Sequence, residues 1–315
     1  MRKLITFILI IVLSVGGYAS PKKSFEIKRG VNLSHWLSQR GENTPSIQDG
    51  MSATDFSRIA RAGFDHVRLP IDEEVLWQEN GQKNKEAFSY LHKGIEWALK
   101  NDLRVIVDLH IVRSHYFNAG NEGKKNSLWE KPEAQTHFLA LWQDLVQELK
   151  GYSTSDVAYE IMNEPTAPNH EDWNKLVEKA YQIIRKVEKE RVIVIGSNMW
   201  QGVDTFQYLK VPQGDEFILL SCHFYEPFLL SHYQAGWTEF GKYQGNVHYP
   251  GYLVSKDEFD SLSADDKKLV ARWRTTPWNR ETLSAFLSKA KRVADEKGLN
   301  LYCGEFGIYE KAPIE

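Results

Sequence analysis

Seven short runs of apolar, mostly β-branched residues recur along the chain, and stretches with helical periodicity separate them. Such runs are typical of strands that are buried on both faces of a parallel sheet. We predict strands at Gly30 to Leu33, His66 to Leu69, Val105 to Leu109, Val157 to Met162, Val192 to Ile195, Phe217 to Ser221 and Leu301 to Gly304. Apolar stripes at helical spacing predict helices around Phe138 to Leu149, Trp173 to Val187 and Leu283 to Val293, with Gly298 as the last C-cap.

Strands that alternate with helices leave two α/β architectures, an open doubly wound sheet or a (β/α)8 TIM barrel. The open sheet usually carries a glycine-rich nucleotide loop, and neither GxGxxG nor GxxxxGKS/T occurs. The barrel is therefore the predicted fold. Units of about 45 residues would place an eighth strand beyond residue 315, so we expect the eighth βα unit to be missing from this chain. No linker divides residues 20–315, which are predicted to form one domain.

The first residues have the pattern of an export signal. Arg2 and Lys3 precede an apolar run from Leu4 to Val15, and small residues follow up to Ala19. We predict a cleavable signal peptide at residues 1–19 and a mature chain that is secreted or periplasmic. The apolar run has about 12 residues, fewer than the roughly 20 that cross a bilayer, so no membrane span is expected.

Charge and cysteine content limit the partners and the cross-links. Lysine and arginine total 39 against 42 acidic residues, a net charge of -3, which gives no reason to expect nucleic acid or an anionic membrane as a partner. The only two cysteines are Cys222 and Cys303. If His223 and Glu305 point inward, period two turns Cys222 outward and Cys303 inward, so we predict no disulfide between them.

The predicted strands end in polar residues, where a barrel places its active site. These residues are Asn32, His35 and Trp36 after strand one, Arg68 in strand two, Asp108 and His110 in strand three, Asn163 and Glu164 after strand four, His223 and Tyr225 after strand six, and Glu305 after strand seven. Buried charge must be paired or is costly, so this concentration predicts a functional site.

Glu164 and Glu305 are the candidate catalytic residues. Two carboxylates that converge from different strands suit glycosidic bond cleavage, in which one acid protonates the leaving oxygen and one anion attacks or activates water. A single glutamate here would more often be an ion-pair partner of an arginine. Glu160 lies about 13 Å deeper on the same strand, so we interpret it as a structural ion-pair partner, and Asp108 beneath His110 likewise.

The same residues carry a family resemblance. The runs are Arg68-Leu69-Pro70, Tyr159 to Pro165, His223-Phe224-Tyr225 and Gly304-Glu305-Phe306-Gly307. In this order they resemble glycoside hydrolase family five, the cellulase-like retaining β-glycosidases, from about residue 26 onward. The resemblance implies that Glu164 is the acid/base, that Glu305 is the nucleophile and that Asn163 holds the sugar 2-hydroxyl.

Further roles follow from the same resemblance. Arg68 and Tyr225 would contact the nucleophile and keep it ionised, and His110 and His223 would line the cleavage subsite. The chain departs from the family in two places. Ile111 stands where a second histidine usually follows His110, although His115 lies nearby, and no residue matches the tryptophan that ends the eighth strand.

Aromatic residues supply candidate sugar platforms. The 54 positions 226–279 after strand six hold ten aromatics, which would form either a stacking wall or the core of an extra helix near Asp257 to Arg272. We predict Trp36 and Trp200, beyond strands one and five, as better platforms. Asn32 and His35 complete the predicted substrate contacts.

The sequence thus predicts a secreted, monomeric, retaining β-glycoside hydrolase that cleaves internal linkages of a β-linked glucan without a cofactor or metal. One alternative is a non-catalytic glycan-binding barrel, and another is an exo-acting β-glucosidase or mannanase of the same family. A metal-dependent hydrolase is less favoured because His110, His223 and Glu305 come from separate strands. The sequence does not decide which glucan or mannan is cleaved.

Overall fold

A computed structural model describes residues 24–117 and 126–313, so the predicted signal peptide lies outside the described residues. Within them, seven parallel strands pair in chain order, each with the next. The strands are β1 (Gly30–Asn32), β2 (His66–Asp72), β3 (Arg104–Ile111), β4 (Val157–Glu160), β5 (Ile193–Gly196), β6 (Ile218–His223) and β7 (Asn300–Glu305). All seven predicted strands are confirmed, and they form the wall of a (β/α) barrel.

Helices fill the connections between the strands. They are α1 (Ile47–Gly50), α2 (Ala53–Arg61), α3 (Glu73–Leu76), α4 (Lys85–Leu99), α5 (Pro132–Leu149), α6 (His170–Val187), α7 (Phe228–Ser231), α8 (Lys256–Ser261), α9 (Ala264–Val270) and α10 (Arg280–Lys297). Short 3-10 helices span Ser127–Trp129, Val203–Tyr208 and Ala271–Arg274. The three predicted long helices are confirmed, and Gly298 closes α10 with a φ of 67°.

Successive residues of each strand point alternately outward and inward. The outward side chains are apolar, whereas the inward side chains are apolar only near the amino-terminal end of the barrel. Outward residues such as Val105, Val107 and Leu109 pack with the helices in the main hydrophobic core. Inward residues Ile106, Ala158 and Val194 form a small separate cluster, against which Phe25 and Ile27 pack. This inner apolar cluster lies below the polar upper positions of the same strands, where the candidate site residues face one another.

Strands β1 and β7 are linked by a side chain. The Asn32 side-chain amide on β1 donates to the carbonyl of Gly304 on β7 at 3.0 Å. An eighth strand does not occur in residues 24–117 or 126–313. The described part of the chain therefore closes most of a barrel wall.

The prediction for the cysteines was wrong in one respect. Cys222 and Cys303 are register partners on β6 and β7, and both pack against the outer core. The register then shifts, so that His223 pairs with Glu305 and Gly304 is the extra residue. This β-bulge breaks period two, which turns Cys303 outward while Glu305 still points into the barrel. Both cysteines are free thiols.

The insertion after β6 has its own hydrophobic core. Phe240, Tyr243, Trp273 and Trp278 are buried in it, and α8, α9 and a 3-10 helix cover it. Of the two alternatives for these aromatics, the core of an extra helix is therefore the one observed for most of them. Trp237 and Tyr252 are different, since they are 51% and 54% exposed.

Among residues 24–117 and 126–313, no helix combines the length and the apolar character that a bilayer crossing requires.

Candidate active site

Glu164 and Glu305 are 141 positions apart in the sequence and meet at the top of the barrel. One carboxylate oxygen of each lies within 4.8 Å of the other and of a His223 ring nitrogen. Their side chains are 12% and 16% exposed, so both are largely desolvated yet open to solvent. A ligand can therefore reach both carboxyl groups at once.

Glu305, the last residue of β7, is held by three cationic or hydroxyl groups. Nη1 of Arg68 donates to its Oε1 at 2.6 Å, and the Tyr225 hydroxyl donates to its Oε2 at 2.9 Å. Nδ1 of His223 lies 3.6 Å from the same Oε2. Burial alone would raise the pKa of Glu305, but His223 and Arg68 outweigh it and lower the pKa to about 2. Glu305 is therefore an anion.

Arg68 connects the nucleophile candidate to the barrel interior. Its side chain is 1% exposed and pairs with Glu160 at 2.6 Å and with Asp108 at 2.9 Å. Its Nη2 also donates to Asn163 Oδ1 at 2.8 Å. Glu160 and Asp108 are thus the buried ion-pair partners that their depth predicts, and they compensate the cost of burying the guanidinium.

Glu164 lies four residues beyond the end of β4, with a left-handed backbone φ of 43°. Its Oε1 is 2.7 Å from Nδ1 of His223, and its backbone carbonyl is 3.4 Å from Nε2 of His115. Burial raises the pKa of Glu164, and His223 only partly opposes this. Glu164 therefore holds its proton to a higher pH than an ordinary glutamate.

His223 bridges the two carboxyl groups from below. Burial disfavours its cation, but the neighbouring Glu305 and Glu164 raise the His223 pKa above its ordinary value. His110 behaves similarly: burial opposes its charge, while Asp108, 2.7 Å from its Nδ1, raises its pKa. Each of these two histidines therefore lies beside a carboxylate that favours its positive charge.

Several buried polar atoms of the site have no hydrogen-bond partner among the described residues. They include Nδ2 of Asn163 and the Nε2 atoms of His110 and His223. Buried polar groups are normally satisfied, and exceptions cluster where a ligand supplies the missing partner. Asn163 contacts Arg68, and both histidines lie beside a carboxylate of the site, so these atoms are candidate ligand contacts.

Trp36 does not line the site, and its prediction as a sugar platform was wrong. The residue is 1% exposed, its Nε1 donates to the Ile47 carbonyl at 2.8 Å, and its ring stacks on Trp97. Its side chain lies in the core between β2 and α4, beside Leu69 and Gly94. A tryptophan after a strand can turn either to the cleft or to the helices, and here the helix side supplies the larger apolar surface.

The other predicted substrate contacts have different surroundings. Asn32 already has two hydrogen bonds: its Oδ1 accepts from Arg68 at 3.1 Å, and its Nδ2 donates to the Gly304 carbonyl. His35 is exposed and its Nδ1 contacts the Gln39 carbonyl at 3.0 Å. Trp200 is 50% exposed, and its Nε1 donates to the carbonyl of Phe117, whose ring packs edge-on against His110. Trp200 is therefore half-exposed and connected to the strand-three His110 through Phe117.

Sequence reasoning missed Gln201 as a site-related residue and predicted Trp237 only as one of the ten aromatics of the insertion. Gln201 is fully buried and contacts both the Glu164 backbone and Glu160. Trp237 reaches Tyr225 through His232, with ring centroids 6.3 Å and then 5.0 Å apart. The signal for Gln201 was a polar residue just beyond β5, which attention to charged side chains overlooked.

The residues Glu164, His223 and Glu305 are also the one group in the described residues close enough to hold a metal ion. The donor set is two carboxylates and one imidazole. Arg68 is 2.6 Å from Glu305 and would repel a cation at that oxygen. The set fits an acid, a base and a histidine between them better than a metal centre.

A parallel barrel with two facing, oppositely tuned carboxyl groups at its top defines a glycoside hydrolase-type protein. The family model for cellulase (glycosyl hydrolase family 5) matches residues 28–313. The chain belongs to this family and is a glycoside hydrolase that acts on O-glycosyl bonds.

Individual relatives agree with the family. The chain is 31% identical to Endoglucanase C of Acetivibrio thermocellus over 293 residues, which cover 91% of this chain and 83% of the relative. It is 28% identical to Cellodextrinase A of Ruminococcus flavefaciens, with 93% of this chain and 79% of the relative covered. A structure of mutant Thermotoga maritima Cel5A with cellobiose superposes with a TM-score of 0.70 at 26% identity, covering 91% and 81% of the chains.

Proposed function

We propose that this protein is a retaining endo-β-glucanase, with Glu305 as nucleophile and Glu164 as acid/base. The observation that carries the proposal is the opposite tuning of two adjacent carboxyl groups. Burial raises the pKa of Glu164, whereas His223 and Arg68 lower that of Glu305 to about 2 against the effect of burial. One carboxyl group is thus a proton donor and the other an anion at the same pH.

In the first step, a carboxylate oxygen of Glu305 attacks the anomeric carbon as the glycosidic bond breaks. Glu164 gives its proton to the departing oxygen, which leaves as a hydroxyl of the released sugar chain. The glycosyl group is then an ester of Glu305. The unpartnered Nδ2 of Asn163 is a suitable donor to the sugar 2-hydroxyl, as the family resemblance implies.

In the second step, Glu164 is a carboxylate and accepts a proton from water. The water oxygen bonds to the anomeric carbon while the bond to Glu305 breaks, which restores both glutamates. Two inversions give net retention. The separation supports this course, because two oxygens within 4.8 Å leave less room for an intervening water than the roughly 6.5 to 9.5 Å of inverting enzymes.

The glucan preference rests on the relatives. An endoglucanase and a cellodextrinase are both similar to the chain over most of its length. Exo action and mannan cleavage remain the competing versions of this proposal. Product profiles on cellulose, mixed-linkage glucan, xyloglucan, β-1,3-glucan and mannan separate them, since endo cleavage releases a range of oligosaccharides and lowers viscosity early.

External azide tests the two glutamate roles separately. With Glu164→Ala and an activated aryl β-cellobioside, azide should restore turnover and give a β-glycosyl azide, because the covalent intermediate still forms. With Glu305→Ala, turnover should be lost while the fold is retained, and azide should give the α-glycosyl azide by direct displacement. The same anomer from both variants, or wild-type rates in Glu305→Ala, contradicts the assignment.

We propose that no metal takes part in the reaction. The support is the Arg68 guanidinium at 2.6 Å from Glu305, which occupies the position of a competing cation. Activity should therefore be unchanged after dialysis against EDTA. A loss that is restored by one divalent metal would instead favour a metal-dependent hydrolase.

We further propose that the protein is exported and acts as a monomer. Arg2, Lys3 and the apolar run up to Val15 support export. N-terminal sequencing of the secreted form should begin near Ser20, and size-exclusion chromatography with light scattering should give the mass of one chain.

A further inference from the structure

Gln201 occupies a buried position beside Glu164 and is not part of the family resemblance. It is 0% exposed and lies five residues beyond the end of β5. Its Oε1 accepts from the backbone N–H of Glu164 at 3.2 Å, and its Nε2 donates to Oε1 of Glu160 at 3.1 Å. Its own carbonyl accepts from the backbone N–H of His223 at 3.0 Å. One residue thus holds three positions of the site.

The hydrogen bonds fix the orientation of the Gln201 amide. A backbone N–H can only donate, and the ionised Glu160, paired with Arg68, can only accept. Exchanging the amide oxygen and nitrogen would place donor against donor and acceptor against acceptor. The side chain therefore has one favourable arrangement, which the Glu164 N–H and the Glu160 carboxylate together maintain.

The conformation that Gln201 holds is a strained one. Glu164 has a φ of 43°, a left-handed region that residues other than glycine seldom adopt because it is strained for an L-residue. Such a conformation persists only when its surroundings fix it. Gln201 holds the Glu164 N–H, and His115 contacts the Glu164 carbonyl from the other side at 3.4 Å.

The chain makes specific room for the Gln201 side chain. A Cβ on Gly196 would lie 2.2 Å from Nε2 and 2.5 Å from Cδ of Gln201. Met199, Trp200 and Gln201 all have left-handed φ values, from 52° to 58°, which turn the chain sharply so that the amide enters this space. A turn of this kind, with no glycine in its three left-handed positions, is unfavourable unless the contacts it creates compensate.

We infer that Gln201 is a positioning residue for the acid/base: it fixes the backbone of Glu164 and ties it, through Glu160 and Arg68, to the nucleophile Glu305. This inference rests on the proposed function, because it assumes that Glu164 delivers the proton. Loss of the amide should misplace the Glu164 carboxyl group relative to the leaving oxygen. Nucleophilic attack by Glu305, which Arg68 and Tyr225 hold directly, should be affected much less.

Leaving-group dependence tests the inference. In Gln201→Met, kcat/KM for phenyl β-cellobioside, whose departure needs a proton, should fall about 10- to 100-fold. For 2,4-dinitrophenyl β-cellobioside, which leaves unaided, kcat/KM should stay within about threefold of the wild type. Gly196→Ala should give the same pattern, because the added Cβ displaces the amide while Gln201 itself is unchanged.

Two further variants complete the design. Gln207→Met is the matched control, since Gln207 is exposed and bonds only to the nearby Asp204 carbonyl, and both substrates should be unaffected. Glu164→Ala sets the full size of the leaving-group effect. If Glu164→Ala lowers kcat/KM equally for both substrates, the proposed acid/base is wrong. Suppose that Glu164→Ala lowers kcat/KM for phenyl β-cellobioside much more than for 2,4-dinitrophenyl β-cellobioside. If Gln201→Met and Gly196→Ala then lower kcat/KM equally for both substrates, or for neither, the proposed role of Gln201 is wrong. Thermal unfolding of each variant gives the folded fraction by which the rates are normalised.

Discussion

The ionisation of each catalytic candidate depends on a few neighbouring side chains. Glu305 has a guanidinium at 2.6 Å and a hydroxyl at 2.9 Å, whereas Glu164 contacts only one histidine through its carboxyl group. Burial raises the pKa of both carboxyl groups, so the opposite net shifts come from their partners: His223, Arg68 and Tyr225 lower the pKa of Glu305, whereas His223 only partly opposes burial at Glu164. Arg68 and Tyr225 therefore lower the pKa of Glu305 through direct contact with its carboxyl group.

The pH dependence of activity should reflect the raised pKa of Glu164. A raised pKa keeps the proton on the acid to a higher pH, so kcat/KM for phenyl β-cellobioside should fall only as pH rises through that raised value. Glu305 has a pKa of about 2 and is ionised throughout this range. The pH profile of kcat/KM checks this. The alkaline fall should vanish in Glu164→Ala assayed on 2,4-dinitrophenyl β-cellobioside, and its persistence there would assign it to another group.

Strand β7 depends on its bulge to aim Glu305. The register shift makes Gly304 the extra residue, and a Cβ there would lie 2.7 Å from Ser221 Oγ and 3.3 Å from His223 Nε2. The glycine allows the strand to bend where His223 and Glu305 come together.

Gly304→Ala should therefore disturb both His223 and Glu305. We expect kcat to fall at least about tenfold and the free energy of unfolding to fall by about 1 to 3 kcal/mol, the usual cost of overpacking. Steady-state kinetics and urea unfolding measure the two effects. Gly151→Ala is the control, because a Cβ there meets nothing within 4 Å. Wild-type kinetics in Gly304→Ala would show that the bulge does not position Glu305.

The insertion after β6 places an exposed tryptophan near the site. Trp237 contacts His232, which contacts Tyr225, and Tyr309 packs edge-on against Trp237 at 4.8 Å. This geometry suits stacking on a sugar ring that lies beyond the cleaved linkage.

Trp237→Ala should raise KM for cellopentaose about fivefold, consistent with the loss of one aromatic contact, and leave KM for phenyl β-cellobioside nearly unchanged. Steady-state kinetics on both substrates provide the measurement. Tyr208→Ala is the control, since Tyr208 is similarly exposed at 50% but lies outside the insertion. Equal effects of Trp237→Ala on the long and short substrates would argue against a distant subsite.

A buried aspartic acid lowers the stability of the whole molecule at neutral pH. Asp72, at the end of β2, is 2% exposed, accepts from the Gln39 N–H at 2.6 Å and leaves Oδ1 without a partner among the described residues. Burial raises its pKa from 3.8 to about 7. Between these values the unfolded chain releases a proton that the folded chain keeps, so this group lowers stability as pH rises.

Asp72→Asn should remove that loss. The asparagine oxygen can still accept from Gln39, while no charge forms at high pH. The variant should gain about 2.7 kcal/mol relative to the wild type between pH 5 and pH 8, because the wild type loses roughly 1.4 kcal/mol per pH unit from pH 5 up to the folded pKa of about 7. Urea unfolding at the two pH values measures this gain. A constant difference at both would mean that Asp72 does not titrate in this range.

The order of strands and helices, the polar strand ends and the convergence of Glu164 and Glu305 could be predicted from the sequence. Periodicity is a local property, and in a parallel barrel every strand end reaches the same rim, so residues far apart in the chain converge. Two carboxylates at that rim are the residue types that glycosidic bond cleavage uses, so this chemistry could be proposed from the sequence alone. The partners of Arg68 below the rim followed from depth along the strands.

Other features depended on contacts between distant segments. Trp36 lies against Trp97 because the helix side offered more apolar surface, and Cys303 faces outward because a single extra residue shifts the register of β7. The Gln201 amide finds Glu164 and Glu160 only once β4 and β5 are side by side. The sequence determined which groups reach the rim, because strand period and length are local. Tertiary packing decided which of them face the cleft, because that choice depends on the shape and charge of neighbours from other elements.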